Sequence, residues 1–504
     1  MIRKYFILFF VFVFGTSEAQ VTFSEHIAPI IYNKCTSCHR AGEVGPMPLT
    51  NYSEISNYSK MIKTVIESKQ MPPWMPNTTY SHFLNERTIS DNEIKQINDW
   101  IANGMPEGNK VAEPELPNFP IGSQLGKPDL VVSMKQSYLH KGNNKDEYRV
   151  FVLPTHLTET KEIKGIEVRP GNPSIIHHLV LALDTTKYAN ELDKRSIGYG
   201  YSNLLFGFSP TYDYWGGWLP GSQYRFFPEG MGTFILPNSE ILLRIHYVPT
   251  PLNEKDSTVI NIFYADKPLS RFYQLKVLGT ENIKKGLFFI PADSIKTFYG
   301  EYKVEQDISL VRIAPHNHFL GKKWEVFVIN SIGDTIKLIK IDDWSFYQQD
   351  IFNFQKLIKI EKGCTIYYNA TYDNTIKNKA NPNNPPKSTA WGETTKDEMF
   401  LCYLISVPYQ KGDENIELSG IINSFNVSCI SEKVIVDFNL ADNVRVNLNI
   451  YDNEGKIVKE VINNQNYVFG KHQSSIDAKD FKKGIYWCKI TTSYFSDSKK
   501  IVIE

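Results

Sequence analysis

"ISLVRIAPHNHFLG", residues 308–321, is a β-branched run that ends on two histidines one residue apart. Successive side chains of a strand point to opposite faces, so His316 and His318 share a face while Asn317 points away. Two imidazoles so placed can grip one metal ion. Two other segments have the same character: "SIIHHLV", with His177 and His178, and "LRIHYV", with His246. Neighbours along a strand face opposite ways, so His177 and His178 reach a common ion only at a bulge or a strand end. Five of the 11 histidines fall in these three segments. Imidazole clusters without thiolate or a local carboxylate suit copper, and also zinc.

Outward from these segments the texture stays β. From about residue 128, "YRVFVL", "STVINIFY", "KWEVFVI" and "CTIYYNATY" are short, β-branched or aromatic, and punctuated by Gly, Pro and Asn. Some 280 residues of this kind exceed one sandwich, so two β domains are expected, at 127–268 and 269–410. A further alternating stretch places Val444, Val446, Leu448 and Ile450 on one face and predicts a small separate β sandwich over 423–504. The expected fold class is therefore multidomain and mainly β. At 504 residues the chain is too long for a single core. Its 55 basic and 55 acidic residues balance, which leaves no footprint for nucleic acid or an anionic membrane surface.

The N-terminal part differs. Residues 1–19 read as a signal peptide: Arg3 and Lys4, the apolar run "YFILFFVFVF", and Ser17-Glu18-Ala19 as a small-x-small cleavage site. No other long apolar segment follows, so no transmembrane helix is expected after signal cleavage. Residues 20–110 read as helical; "TISDNEIKQINDWIANG" offers a Ser90 cap, Ile94, Ile97 and Ile101 on one face, and a Gly104 stop. The Pro-rich stretch within 111–126 reads as a linker.

"KCTSCHR", residues 34–40, carries the spacing of covalent c-type haem attachment, with Cys35 and Cys38 bonded to the vinyl groups and His39 on the iron. A zinc site would need a second ligand pair, and no other Cys pair lies nearby. Met71, in the Pro-rich "KQMPPWMP", is the candidate sixth ligand; Met47, Met75 and His26 compete with it. Residues 20–110 resemble a small all-α cytochrome c domain, which transfers electrons and so implies an acceptor.

"IIHHLV", "RIHYV", "HNHFLG" and "WGETTKDEMFLCYL", in that order, resemble the copper type II, ascorbate-dependent monooxygenases, the family of peptidylglycine α-hydroxylating and dopamine β-monooxygenases. The resemblance covers roughly residues 127–410 and implies two consecutive jelly-roll β-sandwiches. It implies that His177, His178 and His246 hold an electron-storing copper, and that His316, His318 and Met399 hold the copper that meets O₂. A thioether ligand favours the Cu(I) form. The resemblance also implies a Cys364–Cys402 disulfide and a substrate contact at Tyr403; Cys429 and Cys488 are a second candidate bridge. The peptide-amidating members carry an arginine two residues before the first histidine of the pair. Here Ala314 stands there and Arg312 is displaced, which argues against a peptidylglycine substrate.

"VNLNIYDNEGKIVKE", "GIYWCKI" and the final "KKIVIE" resemble the C-terminal sorting domain of type IX secretion cargo, over about 423–504. That implies the type IX machinery as a partner, and a product secreted or attached to the outer cell surface. The function expected from these parts is an exported copper monooxygenase acting on a small molecule and O₂. Its electrons would come through haem c from ascorbate or a redox protein. The alternative is a non-catalytic surface protein that carries electrons or binds copper. A zinc hydrolase ranks lower, because no general-base carboxylate stands beside the histidines in the sequence.

Overall fold

The computed structural model describes residues 20–503, apart from 118–121, 203–212, 223, 393, 417, 419–421, 431, 441–443, 468–469 and 493–495. The expected signal peptide, 1–19, lies outside the described residues. No helix among those described is long and apolar enough to cross a membrane.

The N-terminal region is helical. A turn of π-helix over Phe23–Ile27 runs into α1 (Ala28–Lys34), and α2 (Tyr52–Asn57), α3 (Ser59–Glu67) and α4 (Asp91–Ala102) follow. Ser90 and Glu93 satisfy each other's backbone amides in a capping box that starts α4. Gly104, at φ +81°, takes the left-handed conformation that ends the segment. Ile97 and Trp100 on the inner face of α4 pack against Phe23, Ile27 and Ile31, so α1 delivers Cys35 to the rim of this small core.

The first β unit is a two-sheet sandwich. One sheet has the order Tyr201–Ser202, β1 (Glu147–Pro154), β4 (Glu240–Tyr247), β2 (Ile176–Asp184), β3 (Asp213–Trp218). The other is built from Leu130–Ser133, Val259–Tyr264, Lys161–Arg169, Met231–Ile235 and Arg271–Phe272. Phe151, Leu181 and Leu243 from the first sheet meet Ile163, Ile260 and Ile262 from the second, all buried. Because Arg271–Phe272 pairs with Met231–Gly232, this unit runs four residues past the expected boundary at 268.

The second β unit has sheets of four strands each. One is ordered β5 (Gln274–Leu278), β8 (Leu401–Pro408), β6 (Ile308–His316), β7 (Phe352–Ile360); Ile295–Lys303, Thr365–Asp373, Gly321–Ile329 and Thr335–Ile341 face it. Leu310 and Ile313 of β6 both point into the core, three residues apart, because the strand bulges between Leu310 and Arg312. The bulge reverses side-chain parity. It leaves His316 on the outer side of the sheet.

The helical region is less self-contained than its composition implies. Met75 and Phe83, in the loop between α3 and α4, belong to the core of the second sandwich. Phe83 bridges Phe354, and the Leu84 amide donates to the Asn353 carbonyl at 2.8 Å. The end of the expected linker is also fixed: Leu125 is buried and the Gln124 amide donates to Glu167 at 2.7 Å.

The C-terminal unit packs Ile422–Ile430, Lys433–Leu440 and Gly470–Asp477 on a sheet of Ile457–Tyr467, Val444–Tyr451, Gly484–Thr491 and Ser496–Ile503. Val446, Leu448 and Ile450 are fully buried, as their alternation predicts.

The disulfide expectations are corrected. All six cysteines are unbonded. Cys402 stands opposite Pro315 at the histidine end of β6, whereas the Cys364 carbonyl accepts from Val304 ahead of the strand's other end. The two cysteines thus sit toward opposite ends of β6, further apart than the Cα distance of about 7 Å a disulfide bridges. Cys488 is fully buried while Cys429 is exposed, so these two also remain thiols.

Candidate metal centres

The first cluster forms where β2 lies against β4. Ile176 pairs with Tyr247 and His178 with His246, so His177 is the extra residue of a bulge. This local break in pairing lets two adjacent histidines face the same space. One ring nitrogen from each of His177, His178 and His246 lies within 4.8 Å of the others. The Nδ1 atoms of His177 and His178 are 2.9 Å apart. His246 Nε2 stands 2.7 Å from the Asp146 carboxylate. A carboxylate only accepts, so that nitrogen carries the proton and Nδ1 keeps its lone pair. His246 Nδ1 is buried without a hydrogen-bond partner, as is His177 Nε2. Tyr148 stacks on the His246 ring at 4.1 Å and fixes its plane.

These donors suit a metal ion. Three imidazoles converge, one lone pair is buried and unspent, and an acceptor behind His246 holds its tautomer. Burial, and the neighbouring His246, lower the His177 pKa to about 4. Burial first, and then the neighbouring histidines, hold His178 well below the usual range. Both rings are thus neutral, the form that ligates.

The second cluster grows from β6. His316 pairs with Leu401, and extending that register by two residues sets His318 across from Met399. The His316 and His318 rings are 5.3 Å apart and nearly perpendicular. His316 Nδ1 is 2.6 Å from Gln349 Oε1, and His318 Nδ1 is 3.0 Å from the Asp397 carbonyl. Both partners are acceptors, so both Nδ1 atoms carry protons and both Nε2 atoms keep lone pairs. Glu398, fully buried, accepts from the amides of His318, Leu320 and Met399 and so pins the segments carrying His318 and Met399 together. Burial raises the Glu398 pKa to about 8 against the pull of those amides. Burial, reinforced by His318, lowers His316 to about 3, and burial also lowers His318.

The two clusters share a neighbour. Phe346 stacks on His177 at 5.0 Å and meets His318 edge-on at 5.8 Å. Burial raises the Tyr403 pKa against the pull of the Arg244 guanidinium, two residues before His246, and that cation adds a smaller push to the burial that lowers His178 and His316. Tyr403 pairs with Ala314 on β6, two residues from His316.

At the haem motif, Cys35 and Cys38 are free thiols at the end of α1. Burial, and then Cys38, pushes Cys35 up to about 12. His39 Nδ1 lies 3.1 Å from the Met47 carbonyl, which leaves Nε2 as the nitrogen that would ligate a haem iron. A Cβ at Gly45 would stand 2.8 Å from His39 Nδ1, so only glycine allows this approach. The motif therefore fits covalent haem on its proximal side. Met71 is 38% exposed in the loop after α3. Among its competitors, the Met75 sulfur accepts the Ser345 amide at 3.2 Å, and the His26 ring accepts the Thr22 amide. A cavity lined by Trp74, Arg87, Trp215, Arg312 and Asp350 opens between all three parts; Gly221 lines it and a Cβ there would stand 3.6 Å from Cys38 Sγ. None of the six proposed copper ligands lines this cavity.

Asp146, Tyr148, Phe346 and Gln349 were not among the sequence candidates. Asp146 also removes one argument against a zinc hydrolase, since a carboxylate does stand beside the histidines.

Fold and site together define a multidomain, β-rich chain with a three-histidine cluster of metal-binding geometry. Residues 430–504 match the family described as the secretion system C-terminal sorting domain. The chain is thus exported by the type IX system, to be secreted or attached to the cell surface. No curated protein matches the chain. Among solved structures it is similar to the β-D-glucuronidase of Dictyoglomus thermophilum, at 11% identity over 47% of this chain and 44% of that one, with a TM-score of 0.17. It is similar also to the β-glucuronidase of Ruminococcus gnavus, at 11% identity over 42% and 36%, with a TM-score of 0.16. The chain spans less than half of either enzyme, and likenesses of this size carry no argument about fold or activity.

Proposed function

We propose that the protein is an exported copper-dependent monooxygenase that hydroxylates a C–H bond of a small molecule, with electrons delivered through a fused c-type haem domain. The observation that carries the proposal is the convergence of His177, His178 and His246 within 4.8 Å, beside a second pair, His316 and His318, touching the same phenylalanine. Overall, R–H + O₂ + 2 e⁻ + 2 H⁺ gives R–OH + H₂O, so two electrons must come from outside the substrate. Copper supplies one-electron redox chemistry at each cluster, and the thioether of Met399 favours its reduced form at the second. The chain's own residues hold the donors ready. Asp146, Gln349 and the Asp397 carbonyl fix three tautomers, and burial favours the neutral form of His177, His178, His316 and His318. A tethered haem domain raises the local concentration of the electron donor without any new contact. Ascorbate or a redox protein would reload it.

The test is metal analysis of the purified protein together with oxygen uptake over a small library that includes phenethyl and glycine-extended compounds. Two coppers per chain and substrate-dependent uptake are expected. Copper without turnover would make the protein a surface electron carrier or copper-binding protein instead, and zinc in place of copper would revive the hydrolase.

A further inference from the structure

The segment between strand Thr335–Ile341 and β7 has little regular structure of its own, only a 3₁₀ turn at Phe346–Gln348. One side of it faces the histidines. The Gln349 amide nitrogen donates to the Phe346 carbonyl at 2.8 Å, which turns Oε1 toward His316 Nδ1 at 2.6 Å. The other side is held by the N-terminal helical region. The Ser345 amide donates to the Met75 sulfur at 3.2 Å, and Asp350, next to Gln349, forms a 2.6 Å ion pair with Arg87. That pair is only 16% and 13% exposed, so water screens it weakly.

We propose that the N-terminal helical region is a working part of the second metal site: Arg87 and Met75 position Gln349, and Gln349 holds the His316 ring in its ligating tautomer. This rests on the reading of His316, His318 and Met399 as metal ligands. The physical case is one of ordering. A glutamine in a segment without ladder hydrogen bonds keeps its rotamer only if the backbone beside it is anchored. Trp344 ties the start of the segment to its own sandwich, its amide donating to the Lys322 carbonyl at 2.8 Å, but the residue next to Gln349 is anchored from a part of the chain some 260 residues earlier in sequence (263 between Arg87 and Asp350). Outer partners of this kind typically change metal affinity by about 10- to 100-fold. The first cluster meets this segment only through Phe346 stacked on His177; the carboxylate that sets its tautomer, Asp146, lies in the same sandwich as its histidines. Arg87 is a positioning residue that touches no ligand.

Copper affinities of the full-length holoprotein are measured by competition with a chelator, and the two sites are distinguished by the EPR spectrum of Cu(II). Arg87→Ala and Gln349→Ala are each expected to weaken the second site about 10- to 100-fold and to leave the first within twofold. Gln349→Glu, which still accepts from Nδ1–H but cannot donate to the Phe346 carbonyl, is expected to restore only part of the loss. The Arg87→Ala/Gln349→Ala double variant should be no weaker than Gln349→Ala alone. In metal-free protein, hydrogen exchange over residues 344–353 should quicken at least tenfold in Arg87→Ala, a readout that needs no copper. Unchanged exchange, or a second-site affinity untouched by Arg87→Ala while Gln349→Ala weakens it, overturns the inference. A wild-type chain that holds only one copper overturns instead the reading of the second site on which it rests.

Discussion

The two histidine clusters stand at neighbouring sandwiches and touch one phenylalanine, but they are assembled from different distances. The first draws on β2, β4 and the residue just ahead of β1, all strands of one sheet with Asp146 at its rim. The second takes His316 from the end of β6 and His318 from just beyond it, Met399 from the segment before β8, and the His316 tautomer from Gln349 on a segment clamped by the helical region. The carboxylates differ as well. Asp146 is 46% exposed and bonds an imidazole, whereas Glu398 is fully buried and bonds backbone amides. A self-contained site is tuned by its ligands; a composite site is tuned by whatever holds its pieces together.

The comparison breaks most visibly at a ligand. His246→Ala is expected to take copper from two ions per chain to one while the second site keeps its Cu(II) signal, as metal analysis and EPR would report. Loss of both ions would mean the clusters are one site. Next in size, Phe346→Ala removes a buried ring shared by both clusters and should destabilise the metal-free protein by about 3–5 kcal/mol, read from chemical denaturation. A change under 1 kcal/mol would mean the ring is not part of the core. Asp146→Asn should cost the first site about 10- to 100-fold in copper affinity with little change in stability, since the residue is half exposed. Glu398→Gln should do the reverse. It sets an amide against backbone N–H groups and is expected to lower stability by about 1–3 kcal/mol, while first-site affinity stays unchanged. If Asp146→Asn unfolds the protein, or Glu398→Gln leaves its melting temperature alone, the contrast between the sites is wrong.

Much of this was legible locally. The Ser90 cap, the Gly104 stop, the buried alternation at Val446, Leu448 and Ile450, and the need for a bulge or a strand end at His177–His178 all follow from residues within a few positions of one another. Pairing across long stretches was not. Asp146 meets His246 only because Tyr148 and His246 pair across β1 and β4, a register that no local pattern encodes. The docking of Met75 and Phe83 into the second sandwich was equally hidden, since apolar residues in a Pro-rich loop say nothing about which core receives them. The disulfide expectation failed for a related reason: Cys364 lies toward the other end of β6 from Cys402, which no local pattern reveals.

The central claim is that haem electrons reach dioxygen by way of the copper ligands. Stopped-flow spectrophotometry of the reduced, copper-loaded protein mixed with oxygen tests it most directly, by following the visible haem bands. Reoxidation in the wild type should be clearly faster than in His316→Ala. Equal rates in the two proteins would contradict the account.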